Sequence, residues 1–126
     1  KIAADDFFKG MYETALAEGE LITAVSFPIP KKAAYMKFVQ PASRFALVGV
    51  FVAQTAGGVR VAVTGAAASV FRAKPLEDAL AKSFSADAAK AVKMSTAGLN
   101  NDLHGSPDYR AHLISVMTAR AVAAAG

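Results

Sequence analysis

Gly57-Gly58 separates a nearly unbroken apolar run, Phe45 to Thr55, from an alternating one, Val59 to Thr64. Paired glycines reach the positive backbone angles of tight turns without steric cost, so this stretch reads as a β-hairpin. Its second arm would turn Val59, Val61 and Val63 to one face and Arg60, Ala62 and Thr64 to the other. The first arm is apolar almost throughout and belongs in the middle of a sheet. Any fold for this chain must be built around that pair.

Two more strands are expected ahead of it. Leu21 to Ile29 alternates Leu21, Thr23, Val25 and Phe27 against Ile22, Ala24 and Ser26, and closes at Pro28 and Pro30. Ala33 to Gln40 sets Tyr35, Lys37 and Val39 against Met36 and Phe38, and Pro41 ends it. The opening stretch, Asp5 to Leu16, has no clean period; a turn or short helical piece that plants Phe7, Phe8 and Tyr12 is expected there.

Past Gly65 and a run of small residues the pattern becomes helical. Lys74 to Ala81 carries Pro75 near a helix start, where the missing N–H does no harm. Ser85 to Val92 reads as a second short helix with Ser85 as its cap, and Met94 to Gly105 as a polar loop. Ser106-Pro107-Asp108 then supplies cap residue, first-position proline and first-turn acid. That last helix should run to about Ala124, with Tyr109, Leu113, Val116, Met117 and Ala121 on one stripe. Strands first and helices after them give an α+β class: an antiparallel sheet of three to four strands, helices packed on one face, and a long C-terminal helix.

With 126 residues, 54% of them hydrophobic and 19% charged, the chain suits a single globular domain, 1–126. It starts without methionine in an already patterned segment, and is expected to be a fragment of something longer. No apolar run approaches the roughly 20 residues of a membrane span. The net charge of +4 is dispersed, with Lys31-Lys32 the one adjacent cationic pair, which argues against a nucleic-acid-binding stripe. Cysteine is absent, which excludes thiolate catalysis and iron–sulfur ligation by this chain and fits a cytoplasmic location.

Residues able to do chemistry are few. His104 and His112 have no carboxylates at metal-ligand spacing; packing or a helix-surface place suits His112, and a turn hydrogen bond with Asp102 suits His104. Asp5-Asp6 reads as a helix cap or solvated pair. No serine sits in a G-x-S-x-G turn, and no glycine pattern forms a phosphate cradle. Arg110 invites an ion pair with Asp102 or Asp108. No catalytic residue and no metal site is assigned.

Four segments, in order, carry a resemblance. Asp6-Phe7-Phe8-Lys9-Gly10-Met11-Tyr12-Glu13-Thr14-Ala15-Leu16 is close to D-F-F-x-G-x-Y-x-T-x-L, and Gly19 to Pro28 follows an acid-led strand E-L-I-x-x-V-x-x-P. Tyr35-Met36-Lys37-Phe38 with Ser43 to Val50 is similar to Y-x-K-x followed by an R-x-x-x-x-V strand. Ser106 to Leu113 is similar to S-x-x-Y-R-x-x-L. Together they resemble the C-terminal domain of the FAD-carrying medium subunit of molybdenum hydroxylases, the carbon monoxide dehydrogenase branch above all.

The resemblance implies a multi-subunit oxidoreductase in which electrons leave a molybdenum cofactor in a large subunit. They cross two [2Fe–2S] clusters in a small subunit and reach FAD in the medium one, then an external acceptor. It places the FAD pyrophosphate on glycine-rich turns of a preceding N-terminal domain of the same subunit, and this domain beside the flavin ring. Tyr12, Glu13 and Thr14 are the cofactor-binding residues it implies: Tyr12 covering the ring, Glu13 and Thr14 at its edge. FAD binding is expected of the full-length subunit rather than of this piece. Two other readings stay open: an assembly module without flavin contact, and an unrelated α+β binding domain. An exposed Tyr12 on a concave surface separates the flavin reading from the assembly one.

Overall fold

A computed structural model describes residues 1–126. In chain order it contains α1 (Ala4–Phe7), β1 (Phe8–Gly10), β2 (Glu13–Thr14), β3 (Lys32–Val39), β4 (Ala46–Thr55), β5 (Gly58–Thr64), β6 (Phe71–Arg72), α2 (Lys74–Lys82), α3 (Ala86–Lys90) and α4 (Pro107–Ala124). Strands β3 to β6 form one antiparallel sheet in that order, and β1 with β2 forms a separate two-stranded ribbon. The expected α+β class holds: α4 lies across β3 and β4, α2 against β5, and α3 fills the angle beside α4 and α2.

Register explains the layering. Met36, Val50 and Val63 are direct neighbours across β3, β4 and β5, as are Ala34, Val52 and Val61. All six point to the helical side, where Leu76, Leu80, Ile114 and Met117 close a continuous core. The opposite face carries Tyr35, Phe51 and Ala62 in one row and Lys37, Gly49 and Thr64 in the next, and has no helix over it. One face is covered and one is open, as alternation in β3 and β5 requires.

The hairpin turn falls one residue earlier than the glycine pair suggests: Ala56 and Gly57 turn, and Gly58 opens β5 with φ +109°. Ser106 and Ser85 cap their helices as expected, accepting from the N–H groups of Tyr109 and Ala88, each at 3.2 Å. Substituting Ser106 by alanine should lower unfolding free energy by about 1 kcal/mol, read as a shift of the urea midpoint at constant slope.

Three expectations fail. Leu21 to Ile29 is not a strand: it runs outside any ladder, with Leu21, Val25, Phe27 and Ile29 all exposed. The alternating pattern is present, but a strand exists only by pairing, and no other segment lies alongside this one. The opening stretch does form a short helix and a turn, but it half-buries only Phe7; Phe8 and Tyr12 are exposed on the small ribbon. Finally, the buried face of α4 differs from the expected stripe: Leu113, Met117 and Ala121 are buried, but Tyr109 is exposed. Ala111, Ile114, Ser115, Thr118 and Ala119 are buried as well, because α4 is wedged between the sheet and α3. Its polar members are satisfied: the Thr118 hydroxyl donates to the Ile114 carbonyl at 2.7 Å, and the Ser115 hydroxyl to that of Val92 at 2.8 Å. No helix is long and apolar enough to cross a membrane.

Candidate functional site

Ribbon β1–β2 closes with a two-residue turn, Met11-Tyr12, between the paired residues Gly10 and Glu13. Tyr12 takes φ +58°, a left-handed conformation that non-glycine residues adopt rarely and that marks turns and functional positions. The turn throws its ring fully into solvent at the ribbon's tip. An aromatic held out in this way contributes nothing to the core.

Beneath that tip lies an open cleft of about 580 Å³, bounded by the ribbon on one side and by the loop Thr64–Val70 on the other. Tyr12, Glu13 and Thr14 all line it, so the three residues singled out in the sequence come together. Glu13 and Thr14 are exposed, and the Thr14 hydroxyl accepts from the Leu16 N–H at 3.4 Å. The facing wall is built of Gly65, Ala67, Ala68 and Ser69, side chains too short to block a flat ring. Nothing in the sequence pattern identified this wall beyond its run of small residues.

Two charged clusters fix the cleft's sides. On the ribbon side, Asp5 of α1 pairs with Arg72 of β6 at 3.2 Å. Arg72 in turn donates from Nε and Nη2 to the two oxygens of the buried Glu77. Burial pushes the Glu77 carboxyl up, but donation from Arg72 and from the Val61 N–H at 2.9 Å outweighs it and holds the group below its ordinary range. Hydrogen bonding to Glu77 raises the Arg72 guanidinium correspondingly.

On the other side, Arg110 binds both oxygens of Asp102, at 2.9 and 2.8 Å. Of the two acids open to Arg110 by sequence, Asp102 is the one engaged. The Asp102 carboxyl is lowered, first by the His104 backbone N–H at 2.9 Å and then by Arg110. His104 thus sits in a turn held by Asp102. His112 faces a smaller groove of about 290 Å³ between α3 and α4, beside Lys90, Lys93 and Asp108, away from the Tyr12 cleft.

The family described as CO dehydrogenase flavoprotein C-terminal domain matches residues 33–125. The nicotine 6-hydroxylase medium subunit of Paenarthrobacter nicotinovorans is 33% identical over 99% of this chain and 48% of its own length. The glyceraldehyde dehydrogenase medium chain of Sulfolobus acidocaldarius is 30% identical over 95% of this chain and 47% of its own. Among solved structures, CO dehydrogenase from Oligotropha carboxidovorans superposes with a TM-score of 0.78 at 29% identity, covering 98% of this chain and 48% of that one. Quinoline 2-oxidoreductase from Pseudomonas putida 86 gives 0.75 at 29% identity, covering 98% and 47%. The chain spans about half the length of the curated relatives it matches.

Proposed function

Because the chain belongs to the CO dehydrogenase flavoprotein C-terminal domain family, we propose that it forms the flavin-covering part of the medium subunit of a molybdenum hydroxylase. The observation that carries this reading is Tyr12: a fully exposed ring in a left-handed turn, standing over an open cleft. The cleft's volume lies within the roughly 300–1,000 Å³ of small-molecule sites. Its short-chained wall and projecting phenol suit a planar tricycle, so the residues fit an isoalloxazine ring.

Tyr12 would cover the ring, with Glu13 and Thr14 at its polar edge, and the FAD pyrophosphate would rest on the rest of the subunit. When bound, FAD supplies the electron store between the iron–sulfur clusters of a small subunit, fed by a molybdenum-bearing large subunit, and an external acceptor. The present chain supplies cover, orientation and exclusion of water, without a catalytic group of its own. The exposed segment Leu21–Ile29 would pair with the preceding, FAD-holding half of the subunit, which gives the strand-like pattern its missing partner. A cytoplasmic place belongs to the same reading.

Flavin content and spectrum of the full-length subunit test it. Tyr12→Phe should retain FAD and its spectrum, since the planar cover survives. Tyr12→Ala should shift the visible flavin bands and weaken FAD binding about tenfold, the size of a lost stacking contact. An unchanged spectrum in Tyr12→Ala would leave the domain as an assembly module with no flavin contact.

A further inference from the structure

We infer that Arg110, assisted by Asn100, is the positioning residue for the flavin ring, acting through the cleft wall at Gly65–Ala67. This rests on the reading that the cleft receives the flavin. Arg110 is buried, yet none of its side-chain bonds stays within its own helix. Its Nη1 donates to the Gly65 carbonyl at 3.1 Å and to the Leu47 carbonyl at 3.0 Å. Its Nε donates to the Gly105 carbonyl at 3.3 Å, and Nη2 takes Asp102. One guanidinium therefore ties the start of β4, the cleft wall, the 99–105 loop and the first turn of α4 to a single point.

Asn100 doubles the grip. Its side-chain amide donates to the same Gly65 carbonyl at 3.3 Å, and its backbone N–H to the Ala66 carbonyl at 2.8 Å. Leu99 bridges Ala67 next door. All of these hold the wall through its backbone.

That matters because the wall has almost no side chains. Gly65, Ala67 and Ala68 can meet a ring only through backbone atoms and Cβ, so on this side of the cleft the placement of their backbone decides how closely the ring is gripped. A wall fixed before the ring arrives saves the ordering cost that a mobile loop would impose. Lysine could not substitute: its single ammonium lacks the fork that reaches three carbonyls and a carboxylate at once.

The test uses the full-length, FAD-loaded subunit with Arg110→Lys, Asn100→Ala and, as a stability control, Ser85→Ala, which loses a helix cap remote from the cleft. Readouts are the FAD dissociation constant, the visible flavin bands and the flavin reduction potential. Arg110→Lys should raise the dissociation constant about tenfold and shift bands and potential, as small misplacements in a preorganised site do. Asn100→Ala should move all three the same way by less, and Ser85→Ala should move none. Should Arg110→Lys fail to fold, Asn100→Ala decides, since its side-chain bond is exposed and the fold outlasts its loss. Variants that lose stability while keeping wild-type flavin binding, bands and potential overturn the positioning role. A silent Tyr12→Ala defeats the flavin reading itself, whereas a responsive Tyr12→Ala beside silent Arg110→Lys and Asn100→Ala defeats this inference alone.

Discussion

Alanine at position 65 should destabilise the domain by about 4 kcal/mol or prevent it from folding, the sum of a backbone penalty and a collision. Gly65 holds φ +76°, where an added Cβ costs roughly 1–2 kcal/mol. The Cβ would also strike the Ala46 carbonyl and sit 3.1 Å from the Leu47 oxygen. Neither oxygen can retreat easily: Ala46 and Leu47 begin β4, and Arg110 holds the Leu47 carbonyl at 3.0 Å. Gly98→Ala provides the comparison. Gly98 has nearly the same φ, +77°, with nothing within 4 Å of the new atom, so it incurs the backbone penalty alone. Urea unfolding of the two variants separates the terms. Equal losses would mean that β4 yields and that the wall is softer than its hydrogen bonds suggest.

Glu77→Ala should cost about 3 kcal/mol, because it leaves one buried donor unpaired and breaks a partly buried ion pair. The Val61 N–H loses its acceptor in the middle of β5, and Arg72 loses both Glu77 oxygens and keeps only Asp5. The pH dependence follows from the same contacts. A carboxyl lower in the folded state than its unfolded value of about 4.3 stabilises fully above that value. That contribution disappears as pH falls through the folded-state pKa. Thermal melts from pH 7 down to pH 3 should therefore show a loss of stability beginning near pH 4. Glu77→Gln should start lower and lose less over that interval, keeping only the part due to Asp102, whose carboxyl is lowered in the same sense. An acid limb identical in both proteins would remove Glu77 from the account.

Much of the sheet was legible because its rule is local. Val59, Val61 and Val63 face the core by a period of two, and Ser85 and Ser106 announce helix starts within four residues of the bonds they make. For Arg110 the sequence offered two nearby acids, Asp102 and Asp108, and only the fold chose the first. The bonds of Arg110 to Gly65 and Leu47 span 45 and 63 residues and obey no periodicity, so the wall of the cleft stayed hidden. Strand β6 is two residues long and leaves no pattern at all. The opposite error occurred at Leu21 to Ile29, where a pattern was present without a partner. Tyr12 is a third kind: no physical rule from sequence forecasts that an aromatic will stand clear of the core, and only the resemblance pointed to it.

The unpaired segment has a consequence for behaviour in solution. Leu21-Ile22-Thr23-Ala24-Val25-Ser26-Phe27 is seven residues of β-forming sequence with no charge, proline or glycine, all exposed. Windows of that composition nucleate cross-β stacking between identical copies. Glu18 and Glu20 stand on one side of it, and Pro28, Pro30, Lys31 and Lys32 on the other. Like charges and missing donors at both ends keep identical windows from stacking in register, gatekeepers for a stretch whose safety otherwise depends on what it pairs with.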